Sequence, residues 1–141
     1  MSQYLEFFQS HLVLFIALAV VLALFIANEV HGNMTGGKRL SAAEAVRMIN
    51  DRDPLVVDIR PQAEFKRGHL LGAFHAPASK FDDYIGQITR DKTRPVIVYC
   101  ALGASSGTIV EKLRNSGLAE VYPLRGGINA WTMADLPVTS K

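Results

Sequence analysis

The chain has 141 residues, a single cysteine and a formal net charge of +2 at pH 7, with 15 basic and 13 acidic side chains. This length leaves room for one domain and a short additional segment. The mild, scattered positive charge argues against a nucleic-acid-binding surface. One cysteine cannot form an internal disulfide, which is consistent with a reducing compartment.

The first part of the chain is apolar enough to cross a membrane. No charged residue lies in residues 7–28, and residues 12–27 are apolar without interruption. About 22 helical residues extend about 33 Å, slightly more than a hydrocarbon core of about 30 Å. A signal peptide would need a basic residue before the apolar run, and a buried core helix would show a polar stripe. We therefore predict a retained transmembrane anchor over residues 1–30.

Charge also predicts the orientation of this anchor. Every lysine and arginine lies at or after Lys38. By the positive-inside rule, the C-terminal part faces the cytoplasm and the short N-terminus lies outside. Glycine content and a lack of periodicity predict a linker over residues 31–37, before a domain over residues 38–141.

Helices and strands alternate along the rest of the chain. Ser41 and Glu44 form a capping-box pattern that predicts a helix to about residue 51, and Ser79 is expected to cap a helix through about residue 88. Further helices are predicted over residues 108–115 and near 128–133, and strands over residues 55–59, 73–76, 96–99 and 121–124. This order predicts an α/β fold, a parallel sheet flanked by helices.

Cys100 is the candidate catalytic residue. It follows a β-branched and aromatic run and precedes a loop of small residues, and the carboxyl ends of parallel strands are where α/β proteins place chemistry. In such a loop consecutive N–H groups can point inward, and Ser105 or Ser106 can cap the next helix. These features favour the reactive thiolate. The alternative is an inert, buried cysteine. The candidate active-site loop consists of Ala101, Leu102, Gly103, Ala104, Ser105 and Ser106.

A second group of polar residues lies at the end of the first predicted strand. Asp58 and Arg60 are interpreted as a fixed polar pair that supports the site, which is more consistent with their position than acid–base catalysis. His69 and His75 lack a cysteine or carboxylate at metal-ligand spacing, so no metal site is predicted. Gly126 and Gly127 predict a turn with unusual backbone angles.

Three stretches together resemble the signatures of the rhodanese family. They are a strand-end signature, a cysteine loop and a C-terminal signature: Val-Asp-Ile-Arg (57–60) with Glu-Phe (64–65) and Gly-His-Leu-Leu-Gly-Ala (68–73); Cys100 with Gly103 before Ser106; and Leu-Arg-Gly-Gly-Ile-Asn-Ala-Trp (124–131) ending at Leu-Pro (136–137). The resemblance covers roughly residues 40–137. It implies a five-stranded parallel α/β domain.

The resemblance also implies sulfur transfer through a persulfide on Cys100. A small sulfane-sulfur donor such as thiosulfate would load the thiolate, and cyanide or an external thiol, either small or on a protein, would accept the sulfur. No metal or organic cofactor is implied. The relatives that the chain resembles include single-domain, membrane-anchored bacterial proteins. The expected location is the bacterial inner membrane, with lipid around the anchor and a membrane-protein partner left open.

The loop departs from many active relatives in having no charged residue. They carry an arginine where Ser105 stands and often a basic residue where Ala101 stands. A dianion such as thiosulfate would lose charge-assisted hydrogen bonds worth about 1.5–3 kcal/mol each. One alternative is therefore a membrane-tethered binding module with little or no activity. A Cys-x5-Arg phosphatase would need an arginine where Ser106 stands.

Overall fold

The computed structural model describes residues 1–31 and 37–141. The chain divides into two compact units, Met1–Met34 and Thr35–Lys141. The linker predicted over residues 31–37 falls largely on residues 32–36, whose side chains lie outside the described part of the structure.

The first unit consists of two helices, α1 (Ser2–Ser10) and α2 (Leu12–Gly36). Between them, His11 leaves the helical conformation, with φ −117° and ψ 21°. The segment Leu12–His31 is long and apolar enough to cross a membrane by length and composition. Its side chains are exposed within the unit, which is unlike the core helix of a soluble domain.

The second unit alternates helices and short strands. Ser41 caps its first helix as predicted, because the Ser41 hydroxyl accepts a hydrogen bond from the backbone N–H of Glu44 at 3.2 Å. The elements that follow are α3 (Ala42–Arg52), β1 (Leu55–Asp58), α4 (Gln62–Arg67), β2 (Phe74–His75), a 3-10 helix (Ala78–Asp83), α5 (Ile85–Ile88), β3 (Val96–Tyr99), α6 (Ser106–Asn115), β4 (Val121–Pro123) and α7 (Gly127–Met133).

The four strands form one parallel sheet in the order β2-β1-β3-β4. Strand β3 is therefore central, and Val57 of β1 lies beside Val98 of β3. Beyond β4, Leu40 forms a single parallel bridge with Leu124. The sheet thus has four strands and one isolated bridge where the resemblance implied five strands, since one bridged residue is too short to count as a strand.

Side chains alternate between two cores on opposite faces of the sheet. Val57 and Val98 pack with residues of α5 and α6, whereas Val56, Ile97 and Tyr99 pack with residues of α3 and α7. Because both faces are covered, strands β1 and β3 carry continuous apolar runs instead of alternating polar ones. The predicted α/β fold with a parallel sheet flanked by helices is confirmed.

Two local predictions differ from the structure. Ser79 does not cap a helix: Pro77 occupies that position, a 3-10 helix follows, and Lys80 leaves helical geometry with φ −127°. Helix α4 was not predicted, because its six residues are too few to show a helical period.

Candidate active site

Cys100 lies directly after central strand β3, at the carboxyl edge of the sheet. Its side chain is 6% exposed and belongs to the core beside α6. The backbone N–H of Gly103 donates a hydrogen bond to Cys100 Sγ at 3.0 Å. A backbone donor aimed at the sulfur is a contact that a nucleophilic thiolate could use.

The loop after Cys100 is mostly exposed but is attached to helix α6 at its far end. Ala101, Leu102, Ala104 and Ser105 are exposed, and Gly103 is half-buried. Ser106 is buried, and its hydroxyl donates a hydrogen bond to the Gly103 carbonyl at 3.3 Å. This contact holds the residue whose N–H points at the sulfur.

The expected serine cap of α6 is wrong. Ser105 occupies the N-cap position but makes no side-chain capping bond, because its backbone is helical, with φ −93° and ψ −14°. An N-cap residue normally needs an extended backbone to reach the amides of the first turn. Ser106 lies within the helix and bonds to the loop instead.

Helix α7 holds the other side of the loop. The N–H of Ile128 donates to the Cys100 carbonyl at 2.9 Å, and the N–H of Asn129 donates to the Ala101 carbonyl at 3.1 Å. Gly127 has φ +59°, and a Cβ atom there would overlap the Cys100 carbonyl oxygen. Gly126 has φ +72°, so the predicted turn with unusual backbone angles is confirmed.

The predicted pair of Asp58 and Arg60 does come together, beneath the carboxyl edge of the sheet. Asp58 is fully buried and accepts hydrogen bonds from the backbone N–H of Arg60 at 2.9 Å and from its Nη2 at 2.7 Å. Arg60 Nη2 also donates to the Gly68 carbonyl at 2.6 Å. Burial alone would lower the pKa of Arg60, but the bonds and charge of Asp58 outweigh it and raise that pKa.

Tyr99 completes this buried network, and sequence reasoning did not single it out. Its hydroxyl donates to Asp58 Oδ2 at 2.7 Å and accepts from the Leu70 N–H at 3.1 Å. Burial and the neighbouring Asp58 carboxylate raise the pKa of Tyr99 far above its ordinary value. The available signal was a phenol at the end of an otherwise aliphatic strand, which needs a partner when buried.

A groove of about 400 Å³ lies beside the loop. Helix α4 contributes Glu64 and Arg67 to it, α7 contributes Ile128 and Asn129, and the loop contributes Ala101 and Leu102. Within residues 1–31 and 37–141, no three His, Cys, Asp or Glu side chains gather as a metal site. The two loop residues that directly follow Cys100 therefore border an open groove whose volume suits a small reactant.

A sequence profile described as the rhodanese-like domain matches residues 41–134, a span that includes the cysteine loop and the glycine turn. The chain belongs to the rhodanese-like family. Thiosulfate sulfurtransferase GlpE of Coxiella burnetii is 35% identical to this rhodanese-like domain over 94 residues, which cover 67% of this chain and 86% of GlpE.

Of two further comparisons, one extends the similarity beyond the rhodanese-like domain to nearly the whole chain, and the other concerns the fold. The uncharacterized protein YibN of Escherichia coli K12 is 28% identical over 139 residues, covering 98% of this chain and 97% of YibN. The crystal structure of a rhodanese-related protein from Thermoplasma volcanium superposes with a TM-score of 0.66 at 27% identity. It covers 74% of this chain and 99% of that protein.

Proposed function

We propose that this rhodanese-like protein is a sulfurtransferase that carries sulfane sulfur as a persulfide on Cys100. The observation that carries the proposal is the Gly103 N–H aimed at Cys100 Sγ at 3.0 Å, at the carboxyl end of the central strand. The GlpE relatives, which are named thiosulfate sulfurtransferases, support the same reaction class.

The reaction has two half-steps. In the first, the Cys100 thiolate attacks the outer sulfur of thiosulfate, a new S–S bond forms, and the S–S bond of thiosulfate breaks. Sulfite leaves with the electron pair. In the second, an acceptor thiolate or cyanide attacks the terminal sulfur of the persulfide, and Cys100 leaves as a thiolate. Because the chain has one cysteine, a thiol acceptor must come from another molecule.

The surrounding residues serve this chemistry by position and by charge. The Gly103 N–H stabilises negative charge on the sulfur without needing to reorganise. Hydrogen bonds from Ile128 and Asn129 to the carbonyls of Cys100 and Ala101 hold the loop in place. The loop itself offers no cation, so thiosulfate loses charge-assisted bonds, each of which contributes about 1.5–3 kcal/mol.

The N-terminal segment adds a location to the proposal. We infer that Leu12–His31 anchors the protein in the bacterial inner membrane, surrounded by lipid, with the domain in the cytoplasm. The length and composition of the helix support the anchor. The absence of any lysine or arginine before Lys38 supports the orientation. A membrane-protein partner could meet the domain there, while the sulfur donor and acceptor are supplied from the cytoplasm.

A membrane-tethered binding module is the second candidate function. Two observations favour it: Cys100 is only 6% exposed, and the loop lacks a cation for an anionic donor. In that case the loop would bind a partner without transferring sulfur.

One experiment separates the two candidates. The full chain, in mild detergent and fully reduced, is incubated with thiosulfate and its intact mass is measured. A sulfurtransferase gains the mass of one sulfur atom and releases one sulfite, and later addition of cyanide removes the gain. Cys100→Ser prevents it, whereas Ser116→Ala, a change at the C-cap of α6 and so at the opposite end of that helix from the cysteine loop, does not. A folded protein that gains no sulfur from thiosulfate or from an uncharged sulfane donor would leave the binding module as the better account.

A further inference from the structure

The groove beside the Cys100 loop carries two charges that the proposed function does not yet use. Arg67 is exposed, and its side chain makes no hydrogen bond or ion pair within residues 1–31 and 37–141. Glu64 is half-buried and lies three residues earlier on α4. No ion pair joins the two in the described part of the chain, although this spacing would place them on one face of the helix.

Arg60 also lines the groove, but its charge is already neutralised by an ion pair within the protein. Its partner in this buried ion pair is Asp58, at 2.7 Å. Glu64 acts on Arg60 only through its nearby charge. The groove therefore presents one carboxylate and one guanidinium, and its remaining surface, which includes Leu102, Ile128 and Asn129, is uncharged.

We propose that this groove selects the sulfur acceptor, and that the acceptor class is a small thiol bearing both an ammonium and a carboxylate group. The acceptor carboxylate binds Arg67 and its ammonium binds Glu64, which leaves the thiol free to extend toward Ala101 and Leu102, the two lining residues that directly follow Cys100. A volume of about 400 Å³ suits a molecule of that size. This inference rests on the proposed sulfurtransferase function and names its acceptor.

The transfer step is balanced without a further reactant. The acceptor thiolate forms a bond to the terminal sulfur of the Cys100 persulfide, and the original S–S bond breaks. Cys100 keeps the electron pair as a thiolate, and the acceptor becomes a persulfide.

The test uses four thiols that separate the two charges. L-cysteine carries both groups, 3-mercaptopropionate only the carboxylate, cysteamine only the ammonium, and 2-mercaptoethanol neither. The full chain is loaded with sulfur, and the loss of that sulfur to each thiol is followed by intact mass. Each rate constant is corrected for the fraction of thiolate, because the four thiols differ in acidity. We expect the corrected rate constant to be highest for L-cysteine.

Two variants and two matched controls test which group of the thiol each groove charge binds. Arg67→Gln should lower the corrected rate constants of both carboxylate-bearing thiols, relative to that of 2-mercaptoethanol, by about twofold to fivefold. Glu64→Gln should do the same for the two amines. The controls Lys66→Gln and Glu111→Gln remove the same charges from exposed positions outside the groove, and they should leave these ratios at the wild-type values.

A second readout separates failure of this inference from failure of the proposed function. Cys100 is reacted with cystine, cystamine, dithiodipropionate and hydroxyethyl disulfide, and the mixed disulfides are measured without any sulfur loading. If the protein never forms a persulfide but exchange follows the same charge pattern, the acceptor groove stands and the sulfurtransferase proposal falls. If the persulfide forms but the four thiols react alike in wild type and variants, the groove does not select small thiols, and a protein thiol becomes the expected acceptor. An equal effect of Lys66→Gln and Arg67→Gln would also overturn the inference, since it would reflect only the overall field of α4.

Discussion

Replacing Tyr99 with phenylalanine should destabilise the domain at neutral pH. The change removes the hydroxyl that donates to Asp58 and accepts from the Leu70 N–H. It leaves a buried N–H without an acceptor and a buried carboxylate with one donor fewer. The expected loss is about 1–3 kcal/mol in the free energy of unfolding, a sizeable part of the roughly 5–15 kcal/mol that stabilises a typical domain.

The same substitution should reveal a pH dependence of stability. Burial and the Asp58 carboxylate raise the pKa of Tyr99 above its ordinary value of 10.0. Above that value the unfolded chain releases the Tyr99 proton while the folded chain keeps it. The stability that Tyr99 contributes is therefore fully present below about pH 10 and falls by about 1.4 kcal/mol per pH unit above it. Phenylalanine has no such proton, so the difference between wild type and variant should shrink.

The measurement is urea unfolding of the full chain in a non-ionic detergent, followed by the fluorescence of Trp131, the only tryptophan. Trp131 lies in the core beside Tyr99, so its signal reports on the domain. The free energy of unfolding is compared at about pH 8 and about pH 11. Tyr84→Phe is the control at the lower pH, because the Tyr84 hydroxyl makes no hydrogen bond in the described part of the chain. A difference between wild type and Tyr99→Phe that is the same at both pH values would refute the reasoning.

Three further outcomes are expected. Gly127→Ala should displace the Cys100 carbonyl and abolish most sulfur loading, and normal loading of this variant, measured by intact mass, would contradict that expectation. The control Gly107→Ala, in α6 with open space around it, should instead stabilise the domain by about 0.5–1 kcal/mol. Ser105→Arg should lower the apparent KM for thiosulfate by about tenfold through one charge-assisted contact, and an equal change for an uncharged donor would point to another cause. The full chain should remain in the membrane pellet after high-salt and alkaline washes, as a spanning helix would, and its release by alkali would argue against the anchor.

Strand β3 shows how far sequence reasoning can reach in this fold. Its predicted bounds agree with Val96–Tyr99 because a central strand covered on both faces must be a continuous apolar run. The Ser41 cap was also predictable, since the donor and acceptor lie within one helical turn. In both cases the pattern is set by neighbours in sequence or by burial on both faces.

The remaining parts of the site depend on contacts between distant segments. The cap expected from Ser105 or Ser106 failed because the preceding loop sets a helical backbone at Ser105. The link from Tyr99 to Leu70 joins residues 29 positions apart. That Arg67 of α4 and Leu102 of the loop line the same groove depends on how distant segments of the chain pack. Patterns within a short stretch of sequence do not predict contacts between segments that lie far apart along the chain.

The attachment of α7 to the cysteine loop has a consequence for biosynthesis. A chain is made from its N-terminus, so Cys100 emerges before Ile128 and Asn129, which pair its carbonyl and that of Ala101. A nascent or truncated chain that ends before Gly126 would carry the thiol on a loop with unpaired carbonyls. The hydrogen bonds that hold the cysteine loop therefore cannot be complete until α7 has been synthesised, so an incomplete chain would carry Cys100 without them.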